Sequence, residues 1–131
     1  MSEIRCENFQ ENVDKYLVRH RSILDVITKL QDSVAHTNRS IIKAVTSCGC
    51  LEIKALKQPI PKDVSLEKLS DYVRTHLEGE LCPDCLDKVE AELGKTLFYL
   101  TALCSLLKLD LGSIIDNEND RISTLGIYSL T

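Results

Sequence analysis

Long hydrophobic runs are missing from this 131-residue chain, and charged side chains break up its apolar stretches well short of a bilayer-spanning length. The first residues, MSEIRCENFQENVDKY, lack the apolar segment of a signal peptide. A surplus of positive charge is missing too. Lys and Arg number 16 against 20 Asp and Glu, for a net charge of -4, and the basic residues are not concentrated. That leaves no electrostatic footprint for nucleic acid. Glycine (5), proline (3) and aromatic residues (4 Tyr, 2 Phe) are scarce. With so few turn formers and almost no alternation of β-branched residues, an extensive β-sheet is not expected. The expectation is an all-α protein in the cytoplasm, with no membrane segment, where thiols stay reduced.

What is present fits one domain over residues 1–131, since 44% hydrophobic and 27% charged residues are ordinary for a globular protein of this length. A short helix carries Phe9, Val13, Tyr16 and Leu17. A long one runs from Arg21 to about Ser47, with Leu24, Ile27, Val34, Ile41, Ala44 and Val45 on one face. Gly49 should stop it by taking a left-handed cap conformation. Pro59 and Pro61 forbid helix in the stretch that follows. Ser65 then reads as the N-cap of a helix with Leu66, Leu69, Tyr72, Val73 and Leu77 on its apolar side. Pro83 suits the first turn of the next helix, whose stripe of Leu86, Val89, Leu93, Leu97, Leu100, Cys104 and Leu107 is suited to burial in a bundle. A last, shorter helix carries Ile114, Ile115, Ile122 and Leu125. Two helix pairs, joined by a long crossover over residues 48–85, are the expected layout.

Four of the 6 cysteines sit in two close pairs at the ends of that crossover, Cys48-x-Cys50 and Cys82-x-x-Cys85. Zinc takes tetrahedral sulfur ligation, and a short gap lets one turn supply two ligands. Four thiolates leave no open position, so the zinc would be a structural clip and not a catalytic ion. His76 or a carboxylate stands as a substitute for one sulfur, and Cys82-Pro83-Asp84-Cys85 also reads as a redox pair at a helix start. Unconnected thiols are the plainest alternative. Cys104 reads as core and Cys6 as incidental. The acidic set Glu78, Glu80, Asp84, Asp87 and Glu90 reads as a solvated face at a helix start, and His20 and His76 have no partner identifiable from spacing.

The segment VEAELGKTLFYLTALCSLLKLDLGSIIDNENDRIS resembles the third and fourth helices of the all-α MazG-like nucleoside triphosphate pyrophosphohydrolases. Glu92-Leu93-Gly94-Lys95 matches their Glu-x-x-Asp motif at the glutamate, and Leu109-Asp110-Leu111 matches the linker. Asn119 and Arg121 fall near the polar residues that contact phosphates in that family. Over the first half the similarity is one of helix layout. The resemblance implies an antiparallel helical bundle, association into a homodimer or homotetramer, and magnesium held by clustered carboxylates.

Those carboxylates are absent. The family's glutamate positions on the long helix become His36, Thr37 and Ser40, and Lys95 replaces the aspartate on the facing helix. Residues 33–51 hold no acidic side chain. Magnesium, which prefers carboxylate and phosphate oxygen, is expected to bind poorly. The reading is a degenerate catalytic site. His36, Thr37, Asn38, Ser40, Glu92 and Lys95 would line a pocket for a nucleotide or other phosphate-bearing ligand, with Lys95 standing in for the cation and Asn119 and Arg121 reaching phosphate. The simpler account is an internal network, Asn38 with Glu92 or Lys95 with Glu92. A binding or regulatory module without catalysis therefore leads. A working pyrophosphohydrolase with shifted ligands Asp32, Glu90 and Glu92, and a thiol-based redox or metal sensor, are the alternatives.

Overall fold

A computed structural model of the chain describes residues 2–128, with side chains from residue 5, so the ends of the expected 1–131 domain lie outside the described residues. Four α-helices dominate: α1 (Ser2–Tyr16), α2 (Ile23–Lys43), α3 (Pro83–Leu106) and α4 (Leu111–Leu125). The crossover between α2 and α3 contains two short strands, β1 (Leu51–Ile53) and β2 (Leu77–Gly79), and a 3-10 turn at Leu66–Asp71.

Local chemistry sets the helix ends. Ser22 caps α2, its hydroxyl accepting the Leu24 amide at 3.3 Å. At the other end α2 widens into one π-helical turn, Ala44–Cys48, and stops at Gly49, which sits at φ +83° and donates its N–H to Ala44 at 2.9 Å. The expected stop therefore falls where the sequence places it. Pro83 opens α3 as expected, with Cys82 at the N-cap. At the far end of α3, Lys108 takes φ +64° and lets Leu109 donate to Cys104 at 2.8 Å, and Asp110 then caps α4 by accepting the Ser113 amide.

The helix expected from Leu66 to Leu77 is not there. One 3-10 turn forms, and the chain then extends, because Leu77, Glu78 and Gly79 pair antiparallel with Ile53, Glu52 and Leu51. Ladder hydrogen bonds to β1 outcompete the helical pattern, and His76 at φ +59° makes the turn into the strand. This hairpin is the exception to an otherwise helical fold.

Helices α2 and α3 run antiparallel. Val26 packs in one cluster with Ala102, Thr37 meets Thr96, and Ala44 packs against Cys85. Two small cores result. Val13, Leu17, Val26 and Ala102, with Phe9, Phe98, Leu103 and Leu106 around them, join α1 to the α2–α3 pair. Ala44, Leu51 and Cys85 form the second, under the crossover, and the seam between the two is made of Ser33, Thr37 and Thr96. The apolar stripes expected to be core are not. Cys104 and Val89 are buried, but Leu86, Leu93, Leu97, Leu100 and Leu107 on α3 stay exposed, as do Leu24, Ile27, Val34 and Ile41 on α2 and Ile114, Ile115, Ile122 and Leu125 on α4. The α2–α3 seam uses the neighbouring rows of smaller residues, leaving the larger side chains outside it.

Gln10 on α1 fastens the α3–α4 corner. Its amide nitrogen donates to the Ser105 hydroxyl and the Leu109 carbonyl, and its oxygen accepts the Leu111 amide at 2.9 Å. Gln10→Ala leaves the amide of buried Leu111 unpaired, so a loss of about 1–3 kcal/mol is expected. Urea titration would read this as a lower midpoint at unchanged slope.

Candidate metal centre and adjoining cavity

Cys48 leaves the π-helical turn, Cys50 precedes β1, Cys82 caps α3 and Cys85 lies in its first turn. The hairpin sets the two pairs face to face. Gly79 pairs with Leu51, and at φ +86° it lies so close to Cys50 that a Cβ there would stand 2.4 Å from the Cys50 carbonyl oxygen. The four Sγ atoms all lie within 4.8 Å of one another, and Cys48 and Cys82 are 3.8 Å apart. A tetrahedron with zinc–sulfur bonds of about 2.3 Å has sulfur–sulfur edges of about 3.8 Å. The donor set and its spacing fit a zinc ion, and all six cysteines are free thiols. Among the described residues this is the one group of three or more His, Cys, Asp or Glu placed to hold a metal. Neither His76 nor a carboxylate belongs to it.

The thiols are not equivalent. The Cys85 backbone N–H, 3.4 Å from the Cys82 sulfur, stabilises the thiolate there and brings Cys82 down to about 7. Cys85 is pushed up to about 12, first by its hydrogen bond with Cys82 and then by burial.

Against the cluster lies a cavity of about 700 Å³ between α2 and α3. From α2 it is lined by His36, Arg39, Ser40, Lys43, Ala44, Ser47 and Cys48, and from α3 by Asp84, Cys85, Lys88, Ala91 and Glu92. Lys88 is held by Asp84 at 3.1 Å, while Arg39 and Lys43 have no carboxylate partner among the described residues. One oxygen of Glu92 lies 3.6 Å from Lys95; the other is buried and accepts no hydrogen bond.

Of the residues expected to line a pocket, His36, Ser40 and Glu92 do. Thr37 lies behind them, buried, 3.3 Å from the Thr96 hydroxyl. Asn38 is exposed and is not among the lining residues, so it makes no network with Glu92. Lys95 is 63% exposed and meets Glu92 from outside the cavity, which is the simpler of the two roles considered for it. Asn119 and Arg121 are exposed on α4 and do not line it either; Arg121 bonds to Glu118 through its Nε at 3.1 Å. Asp32 pairs with His36 at 3.7 Å and Glu90 is exposed, so of the shifted ligands only Glu92 lines the cavity. Arg39, Lys43 and Ser47 belong to no motif in the sequence. Their signal is the spacing 36, 39, 40, 43, 47, which puts five polar residues on one side of α2 and the turn that continues it.

Comparison of the chain with protein-family models, with curated proteins and with solved structures returns no match. No single helix among the described residues is long and apolar enough to cross a membrane.

Proposed function

We propose that this protein is a MazG-like helical module that binds a phosphate-bearing small molecule, a nucleotide in particular, without hydrolysing it. It works in the reducing cytoplasm, with a structural zinc holding the crossover against the helix pair. The observation that carries the reading is the cavity beside the thiol cluster, where Arg39, Lys43 and Lys88 gather around a space holding just two carboxylates, Asp84 and Glu92. Two cations without carboxylate partners, one turn apart on α2, match the charge and reach of a phosphate group. The unpaired oxygen of Glu92 is an acceptor for a ligand hydroxyl or amine. Magnesium needs several hard oxygen ligands, and Glu92 and Asp84 alone make a weak site.

Calorimetric titration with nucleoside mono-, di- and triphosphates, with and without magnesium, tests it. Binding without magnesium is expected, weakened roughly tenfold or more by Arg39→Ala or Lys43→Ala. Magnesium-dependent release of pyrophosphate by the purified protein, abolished by Glu92→Gln, would show an active pyrophosphohydrolase and overturn the reading.

A thiol-based sensor is the second reading, favoured by the lowered Cys82 thiol 3.8 Å from Cys48. Metal content separates the two. One zinc per chain after purification under reducing conditions supports the clip; metal-free protein that forms a Cys48–Cys82 disulfide supports the sensor.

A further inference from the structure

We infer that the cavity answers to the metal state of the thiol cluster: zinc in the cluster weakens the hold on a phosphate-bearing ligand, and the ligand weakens the hold on zinc by the same factor. The inference rests on the proposed phosphate site and adds its regulation.

The two sites share a wall. Cys48 and Cys85 are two of the four converging thiols, and both also line the cavity. The helix register sets the order along it. Ala44 packs against Cys85 and Thr37 meets Thr96, so the cavity runs from the thiol cluster toward the middle of the α2–α3 pair. Lys43 is the neighbour of Ala44, and Lys88 follows Cys85 by one turn, so both stand at the thiol end. His36 and Glu92 stand at the far end, seven residues or about 10 Å along the axis from Lys43 and Cys85. Lys88 already senses the cluster. Its ammonium is held above the ordinary lysine value first by Asp84, with Cys85 and Cys82 adding to the shift.

Charge gives the sign. Arg39, Lys43 and Lys88 against Asp84 and Glu92 leave the cavity a formal surplus of one positive charge, which favours an anion. A zinc ion held by four thiolates makes a centre of net charge about -2. Metal-free, the same thiols hold most of their protons at pH 7 and carry far less charge. Loading therefore turns the local balance from positive to negative. A phosphate between Arg39 and Lys43 stands on the order of 10 Å from that centre, close to the Debye length at physiological salt, so the repulsion is reduced without being screened out. The expected loss of affinity is about three- to tenfold. Stiffening of the cavity wall by the metal would act in the opposite direction, because a preorganised site binds more tightly. The sign of the effect is therefore diagnostic.

Calorimetric titration at pH 7 with adenosine 5′-monophosphate, whose single phosphate chelates zinc poorly, tests it on three forms of the full chain. They are the zinc-loaded chain, the chain stripped of zinc under reducing conditions, and zinc-loaded Cys48→His. In the last a neutral imidazole replaces the exposed thiolate, and the centre carries about -1. Affinity is expected to be lowest in the first form, intermediate in Cys48→His and highest in the stripped chain. The spread is expected to shrink between about 50 mM and about 500 mM salt. A second measurement needs no variant and no stripped protein. On the zinc-loaded wild type, saturating nucleotide is expected to raise the apparent zinc dissociation constant, read by competition with a chromogenic chelator, by the same three- to tenfold. Equal affinity in all forms, tighter binding by the zinc-loaded chain, or zinc retention unchanged by bound nucleotide overturns the inference and leaves the phosphate site standing. Absence of binding by every form overturns both.

Discussion

Protein stripped of zinc by a chelator is expected to melt on the order of 10 °C or more below the zinc-loaded form. The reason is the thinness of what otherwise holds the crossover. Ala44, Leu51 and Cys85 are the buried residues of the second core, and the hairpin pairs three residues with three. In the proposed clip, four zinc–sulfur bonds would close a connection of more than thirty residues and replace burial that this region lacks. Cys50→Ser and Cys85→Ser are expected to reproduce the loss in the presence of zinc. The effect has a pH dependence of definite sign. Zinc binds thiolates, so each ligand proton must leave, and the apparent affinity rises with pH. Cys82, at about 7, surrenders its proton first, while Cys85, at about 12 in the metal-free site, keeps its own until the metal displaces it. Lowering the pH from about 8 to about 6 is therefore expected to narrow the gap between the two melting temperatures. Melting curves that coincide with and without chelator, on protein shown to carry zinc beforehand, would contradict the clip.

Gly79→Ala is expected to destabilise the fold by about 3 kcal/mol or more and to weaken zinc binding with it. Two costs fall on the same atom. The residue sits at φ +86°, where an L side chain is strained, and its new Cβ would stand 2.4 Å from a backbone oxygen of Cys50. That oxygen has no flexible side chain to move; the two strands would have to part. Because Cys50 is itself one of the four thiols, parting the strands moves a ligand. Gly94 gives the contrasting case. It lies within α3, and a Cβ added there would meet nothing within 4 Å, so Gly94→Ala is expected to stabilise by up to about 1 kcal/mol. Denaturant titrations of the two variants side by side, with zinc present, measure both.

Much of the scaffold is legible from single residues with strong local preferences. Gly49 ends the long helix, Pro83 opens the next, and the cysteine pairs at the two ends of the crossover converge. What the pattern does not reveal depends on partners distant in sequence. Leu66–Leu77 carries a helical spacing of apolar residues, yet β1 lies some twenty residues away and captures Leu77. The leucine row of α3 announces a surface that wants covering without saying whether this chain covers it, and the smaller Cys85 and Thr96 meet the α2 side instead. Around the cavity, His36, Ser40 and Glu92 are legible, but Arg39 and Lys43 hold the place that the motif match assigns to Lys95. On a helix a shift of one position turns a side chain by about 100°, so facing residues are legible only once the seam is known. Gln10 gives no signal at all, since its three partners lie about a hundred residues further on.

The widened turn at Ala44–Cys48 has a consequence for how this chain tolerates length changes. One surplus residue is stored there, and it sets the direction in which Cys48 leaves the helix. Adding a further residue between Lys43 and Cys48 would exceed what one widened turn can store and swing the thiol by about 100° off its target. Lengthening the loop between Pro61 and Ser65, by contrast, leaves that aim untouched. Sequence drift by insertion is thus harmless in that part of the crossover and prohibited in the turn that leads into it.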